Sequence, residues 1–321
     1  MAGLRIFSGN SNINFARKVA EAANLELGHC DIGRFADGEV QVEIHESVRG
    51  CRVFLIQSTP PPVNENYMEL FMILDALKRA SAAEITLVMP YYGYARQDRK
   101  VAPRAPISAK CVAELCKTSG ADRLVVVDLH SSQIQGFFDG PVDHLFGIPT
   151  LARAFRERQG FGDEYVVVSP DAGGVERARA FSKRIECSIA IIDKRRTGPN
   201  EAKAYHLIGD VEGKTAIILD DMIDTAGTLT QGVDSLLKNG AKRVFAVATH
   251  PVLSGPAITR ITESQIEKVW VTDTIPLKQA AQDSGKFEVI SVAPVVAEAI
   301  QRIYSYDSVS ALFEIESEKK T

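Results

Sequence analysis

The chain has 321 residues, 45% of them hydrophobic and 24% charged, which is enough for two cores and ordinary for a soluble globular enzyme. Five cysteines without a C-x-x-C pair exclude a disulfide-stapled scaffold, and a net charge of −4 excludes a broad basic face for nucleic acid or lipid. The opening MAGLRIFSGNSN runs straight into a strand, without the apolar core of a signal peptide, so a cytoplasmic location with no membrane partner is expected.

Short β-branched runs follow one another along the chain: LRIF, RVFLIQS, EITLVMP, RLVVVDLH, YVVVS, SIAIID, TAIILD, RVFAVATH, KVWVTD and FEVISVAP. Helical patterns separate them, such as NENYMELFMILDALKRA with Leu70, Leu74 and Leu77 on one face. Uninterrupted apolar strands alternating with helices predict parallel sheets buried on both faces. The fold class is therefore α/β.

The chain also reads as two copies of one unit. With Ser8 set against Ser169, RIFSGNSNINFARKVAEAAN lies over VVVSPDAGGVERARAFSKRI without a gap, and the segment Asp75–Pro90 resembles Asp234–Pro251. Two tandem domains are expected, residues 1–146 and 147–321, each a mainly parallel sheet flanked by helices. The terminal stretch VVAEAIQRIYSYDSVSALF is expected to pack back on the N-terminal half. The copies differ in their polar residues: Asn10 stands opposite Asp171, and GRF (Gly33–Phe35) opposite KRR (Lys194–Arg196). Acids and basic loop belong to the second copy, which should hold most of the reaction centre.

Within that copy, TAIILDDMIDTAGTLTQG ends a strand in acids and enters a helix through a Thr/Gly turn. Ligands of open parallel sheets bind at the carboxyl ends of strands. Backbone amides of Ala226, Gly227 and Thr228, with the hydroxyls of Thr225 and Thr228, can hold a phosphate at the helix start. The carboxylates of Asp220, Asp221 and Asp224 would repel a polyphosphate but accept hydrogen bonds from vicinal hydroxyls. Together they point to a sugar phosphate. The plainer alternative is a helix cap by Asp224 or Thr225 with Asp220 and Asp221 in solvent. KRRTGPNEA adds a cationic loop in which Lys194 and Arg196 share a direction if the strand continues. No G-x-x-x-x-G-K-[ST] is present. In the first copy, Asp37-Gly38 before EVQVEI predicts a hairpin.

DDMIDTAGT resembles the phosphoribosyl-pyrophosphate loop of type I phosphoribosyltransferases and ribose-phosphate diphosphokinases. With GRFADGEVQVEIHESVRG, PYYGYARQDRK, DLHSSQIQGFF, VVSPDAGGVERARAF and IDKRRTGPNEA, the chain resembles the phosphate-activated, hexameric class of ribose-phosphate diphosphokinases over nearly its whole length. That resemblance implies transfer of the β,γ-diphosphoryl group of ATP to the anomeric hydroxyl of ribose 5-phosphate. It implies Lys194 and Arg196 as catalytic cations, Arg196 also touching ribose 5-phosphate, and Asp220 to Thr228 as the sugar-phosphate loop. It places Phe35, Asp37, Gly38, Glu39, Arg96, Gln97 and Arg99 on ATP, the Phe35 segment serving a neighbouring subunit's pocket. His130 and Asp171 are implied for magnesium, with two ions, one arriving with the nucleotide. Inorganic phosphate is implied as activator, at a site including Ser47, Arg49, Ser308, Ser310 and Phe313. A phosphoribosyltransferase that consumes the product, and a non-catalytic regulatory subunit of the same fold, are the alternatives.

Overall fold

The computed structural model describes residues 3–195 and 204–313, with the backbone alone for 193–195 and 204–205. Two compact units divide the chain: one holds the residues up to Phe146 and again from Val292, the other Gly147–Ser291.

The first unit runs β1 (Leu4–Ser8), α1 (Ile13–Ala22), β2 (Cys30–Arg34), β3 (Val40–Ile44), β4 (Arg52–Ile56), α2 (Val63–Arg79), β5 (Glu84–Met89), α3 (Ser108–Ser119), β6 (Arg123–Val127) and β7 (Val142–Leu145). The second runs α4 (Ile148–Arg158), β8 (Tyr165–Ser169), α5 (Val175–Ile185), β9 (Ser188–Arg195), β10 (Ala204–Ile208), β11 (Thr215–Ile223), α6 (Gly227–Lys238), β12 (Arg243–Pro251), α7 (Ala257–Glu263), β13 (Val269–Thr272), α8 (Gln279–Asp283) and β14 (Phe287–Ile290). The terminal helix α9 (Ala293–Ser305) packs on α1 and belongs to the first unit, so the units are not two contiguous halves of the chain.

The first sheet has the order β1-β4-β5-β6-β7, all parallel. In the second, β8-β11-β12-β13-β14 repeats that parallel order, and β9 and the antiparallel β10 extend it beyond β8. Their counterparts in the first unit, β2 and β3, form a separate two-stranded sheet. The ends of β1 and β8 fall on Ser8 and Ser169, the two serines aligned in the sequence.

Period-2 alternation distributes each buried strand between two cores. Phe7 and Leu55 face α2 and α3, whereas their neighbours Ile6 and Phe54 face α1 and α9 with Phe15, Val296 and Ile300. In the second unit Val167, Ile217, Phe245 and Trp270 meet Phe155 and Phe181, while Val166, Val168 and Ile218 face α6 with Val233 and Leu236. Phe155 centres an aromatic cluster, in edge-to-face contact with Tyr165, Phe181, Phe245 and Trp270. No helix among the described residues is long and apolar enough to cross a membrane.

Candidate active site

In the second unit the polar residues gather at the carboxyl ends of β8 and β11. The sequence predicts that the β11 strand stops at its first acid, but it continues to Ile223: Met222 and Ile223 pair with His250 and Pro251 of β12. Asp220 and Asp221 are therefore strand residues, held by the sheet rather than carried on a loop. Asp221 has 4% of its side chain exposed and Asp220 40%. From α5, the Arg177 guanidinium lies 3.4 Å from Asp221 and 3.7 Å from Asp220. Burial, and then repulsion from Asp221, push the Asp220 carboxyl up from the usual carboxylate range, against the opposing pull of Arg177.

Beyond the strand the chain turns through Asp224 and Thr225 to Ala226, which caps α6 in the left-handed region at φ 59°. The N-cap position falls on Ala226 rather than on Asp224 or Thr225, and Ala226 makes no side-chain capping bond. An uncapped first turn directs backbone N–H groups outward, where they suit an anion. The turn is fixed from outside: Ser254 N–H donates to the Asp224 carbonyl at 3.0 Å, and the Arg260 guanidinium to the Thr225 carbonyl at 2.9 Å. A Cβ on Gly227 would come within 3.3 Å of that guanidinium, so glycine permits the close approach. Thr225 and Thr228 are exposed beside it. A non-glycine left-handed residue costs roughly 1–3 kcal/mol and persists only where its surroundings enforce it; Ala226 is packed into the core below.

The β8 end makes a tight turn of its own. Asp171 accepts from Gly174 N–H at 3.0 Å and is exposed, and the Ser169 hydroxyl donates to the Asp171 carbonyl at 2.7 Å. Lys194 lies on β9, its backbone paired with Tyr205. Arg196 lies outside the described residues.

The first unit collects its predicted residues at two places. Arg96, Gln97 and Arg99 follow β5, and His130 follows β6, so all four stand at carboxyl ends of one sheet. Gln97 accepts from the Ser108 hydroxyl, and its backbone carbonyl accepts from Ala109 N–H at 3.2 Å, which ties the loop to α3. Tyr94 and the buried Asp128, beside these positions, are both left-handed, with φ 66° and 38°. The second place is the β2–β3 hairpin, whose tip turns through Asp37 and Gly38 as the Asp-Gly pair predicts. Phe35 there is 52% exposed. Asp37 accepts from Glu39 N–H at 3.1 Å. Ser47 and Arg49 are exposed after β3; Ser308 and Ser310 share a 2.9 Å hydroxyl contact after α9, and Phe313 packs edge-to-face on Phe146.

Arg177 is the residue that sequence reasoning missed. It stands in VERARAF as one arginine of two, and only the fold brings it to acids 43 and 44 positions away.

Comparison with known proteins identifies the family. A family model described as the N-terminal domain of ribose phosphate pyrophosphokinase matches residues 4–120, and one described as the phosphoribosyl synthetase-associated domain matches residues 196–314. The ribose-phosphate pyrophosphokinases of Fusobacterium nucleatum and Bacillus caldolyticus are 55% and 54% identical to the chain, covering 97% of it and 98% of each relative. The crystal structure of phosphoribosylpyrophosphate synthetase from Mycobacterium smegmatis has a TM-score of 0.89 at 43% identity, with 95% of this chain and 99% of that one covered. The chain belongs to the ribose-phosphate pyrophosphokinase family.

Proposed function

We propose that the protein transfers the β,γ-diphosphoryl group of ATP to the anomeric hydroxyl of ribose 5-phosphate, giving phosphoribosyl pyrophosphate and AMP. The observation that carries this reading is the pairing of an uncapped α6 start with the Asp220–Asp221 carboxylates in one unit. The helix start takes the 5-phosphate, with the Thr225 and Thr228 hydroxyls and the amides of Ala226 to Thr228 around it. The carboxylates, with Asp224, accept from the ribose hydroxyls and hold the sugar so that its anomeric oxygen is presented for attack on the β-phosphorus. Arg177 limits the repulsion between the two acids, which keeps them as acceptors.

Lys194 and Arg196 stabilise charge developing on the transferred group, and Arg196 also reaches the sugar phosphate. Arg96, Gln97 and Arg99 bind the triphosphate, while Phe35 stacks on adenine with Asp37, Gly38 and Glu39 at its amino edge. An aromatic ring half in solvent at a hairpin tip suits a pocket completed by another subunit; that the assembly is a homohexamer follows from the family resemblance. Magnesium, two ions with one carried by the nucleotide, neutralises phosphate charge when bound. The exposed Asp171 carboxylate has the hard oxygen donor that this ion prefers, and His130 is assigned beside it from the family resemblance. Inorganic phosphate activates through Ser47, Arg49, Ser308, Ser310 and Phe313.

The test is product analysis with ribose 5-phosphate, ATP and magnesium, with and without inorganic phosphate. AMP and phosphoribosyl pyrophosphate in equal amounts are expected. Stoichiometric ADP would make the enzyme an ordinary kinase and overturn the reading.

A further inference from the structure

The β2–β3 hairpin carries a second polar cluster, at the end opposite its tip. Residue 29 stands across from residue 45, where His45 N–H donates to the His29 carbonyl at 3.0 Å, and Asp31 stands across from Glu43. Because strand side chains alternate, these four project from the same face. The other face, with Cys30, Ile32, Val42 and Ile44, packs on the first unit's core. His29, Asp31 and His45 offer donor atoms all within 4.8 Å of one another. Asp31 lies 2.8 Å from His45 Nε2 and 3.9 Å from His29 Nε2, one carboxylate oxygen toward each ring, and the rings are 4.7 Å apart at 37°. Glu43 lies 3.9 Å from the remaining nitrogen of His45.

We propose that His29, Asp31 and His45 form a site for a borderline divalent cation, Zn²⁺ or a close analogue, with Glu43 as the outer carboxylate that orients His45. Nitrogen and oxygen ligands at about 2.0–2.2 Å from one ion lie within roughly 4.2 Å of each other, so small side-chain rotations close the set. Two imidazoles and a carboxylate select zinc-like ions and not magnesium, which takes oxygen donors. A carboxylate on the far nitrogen of a ligating histidine fixes the ring and its tautomer. Cys30 does not join: it is on the opposite face, and burial pushes its thiol up to about 11. The bound ion staples β2 to β3 at their open end, five residue pairs from the tip that bears Phe35. This site is separate from the magnesium positions proposed above and involves none of their residues.

Untagged full-length protein, stripped with chelator, is titrated with Zn²⁺ by calorimetry and with Co²⁺ followed by its visible absorption. His29→Ala/His45→Ala is expected to lose one zinc equivalent per chain and the tetrahedral Co²⁺ band. Glu43→Gln should keep that equivalent but weaken it by roughly 10- to 100-fold. All four residues are exposed, and folding is checked by the metal-free melting curve, expected to match the parent. Equal stoichiometry and affinity in parent and double variant would overturn the proposal, leaving Asp31 and His45 a simple ion pair. A parent that binds no zinc after stripping would overturn it as well.

Discussion

Arg177→Met removes the guanidinium that faces Asp220 and Asp221 and keeps an unbranched stem on α5. At 3.4 Å from the Asp221 oxygen, with an effective dielectric of about 20, the lost attraction is about 5 kcal/mol gross. Part of it cancels because the guanidinium no longer has to be desolvated, so removal of one partner from this enclosed pair costs about 3 kcal/mol net. Asp220, 3.7 Å away and 40% exposed, is partly screened by water and adds a smaller share. The effect depends on pH. In the folded chain the Asp220 carboxyl is raised, toward about 8, by burial first and Asp221 second. A carboxyl raised in this way adds stability below its unfolded value of about 4 and loses it as pH climbs through the folded value. Arg177 opposes that loss, so its removal hurts most where both acids are ionised. Circular dichroism melts should put the variant roughly 6–12 °C below the parent at about pH 9, and by a smaller margin at about pH 5.5. A deficit equal at all pH values, or larger in acid, would refute the electrostatic account and assign the loss to packing of the arginine stem.

Asp224→Asn should raise KM for ribose 5-phosphate much more than KM for ATP in steady-state assays; the reverse pattern would move this loop to the nucleotide. Lys194→Ala is expected to lower kcat by roughly a hundredfold to a thousandfold or more with sugar-phosphate binding near normal, measured by turnover beside equilibrium binding; equal loss in both would place Lys194 in ground-state recognition. Ala226→Gly relieves the left-handed strain and loses one buried methyl, so its stability should change by less than about 1 kcal/mol. Ala226→Val, β-branched at a positive φ, should cost at least about 2 kcal/mol, and denaturant midpoints for the pair compare the two directly.

The central strands were legible because burial on both faces writes them as unbroken apolar runs, as in YVVVS and RVFLI. β2, β7 and β10 were harder to read. CDIGR and VDHL carry polar residues within short edge or hairpin strands, and AYHLI follows the cationic loop, so none has that signature. β11 was read too short for a related reason: two acids look like a strand end, but the ladder with β12 carries the backbone through them. The Thr/Gly turn that opens α6 was legible because the signals of a helix start are local in sequence. Its left-handed cap at Ala226 was not, since alanine gives no sign of a positive φ. Arg177, and the cross-strand set His29, Asp31, Glu43 and His45, depend on pairings that only the folded chain creates.

The placement of α9 has a consequence for biosynthesis. A ribosome adds Val296, Ile300 and Ile303, which complete one face of the earlier unit, only after all of Gly147–Ser291. The nascent N-terminal sheet thus waits for its last covering layer through synthesis of the entire later-made body. A stop codon ahead of α9 would strip that layer from Ile6, Phe54 and Val125, so the damage from losing the C-terminus would fall on the residues translated earliest.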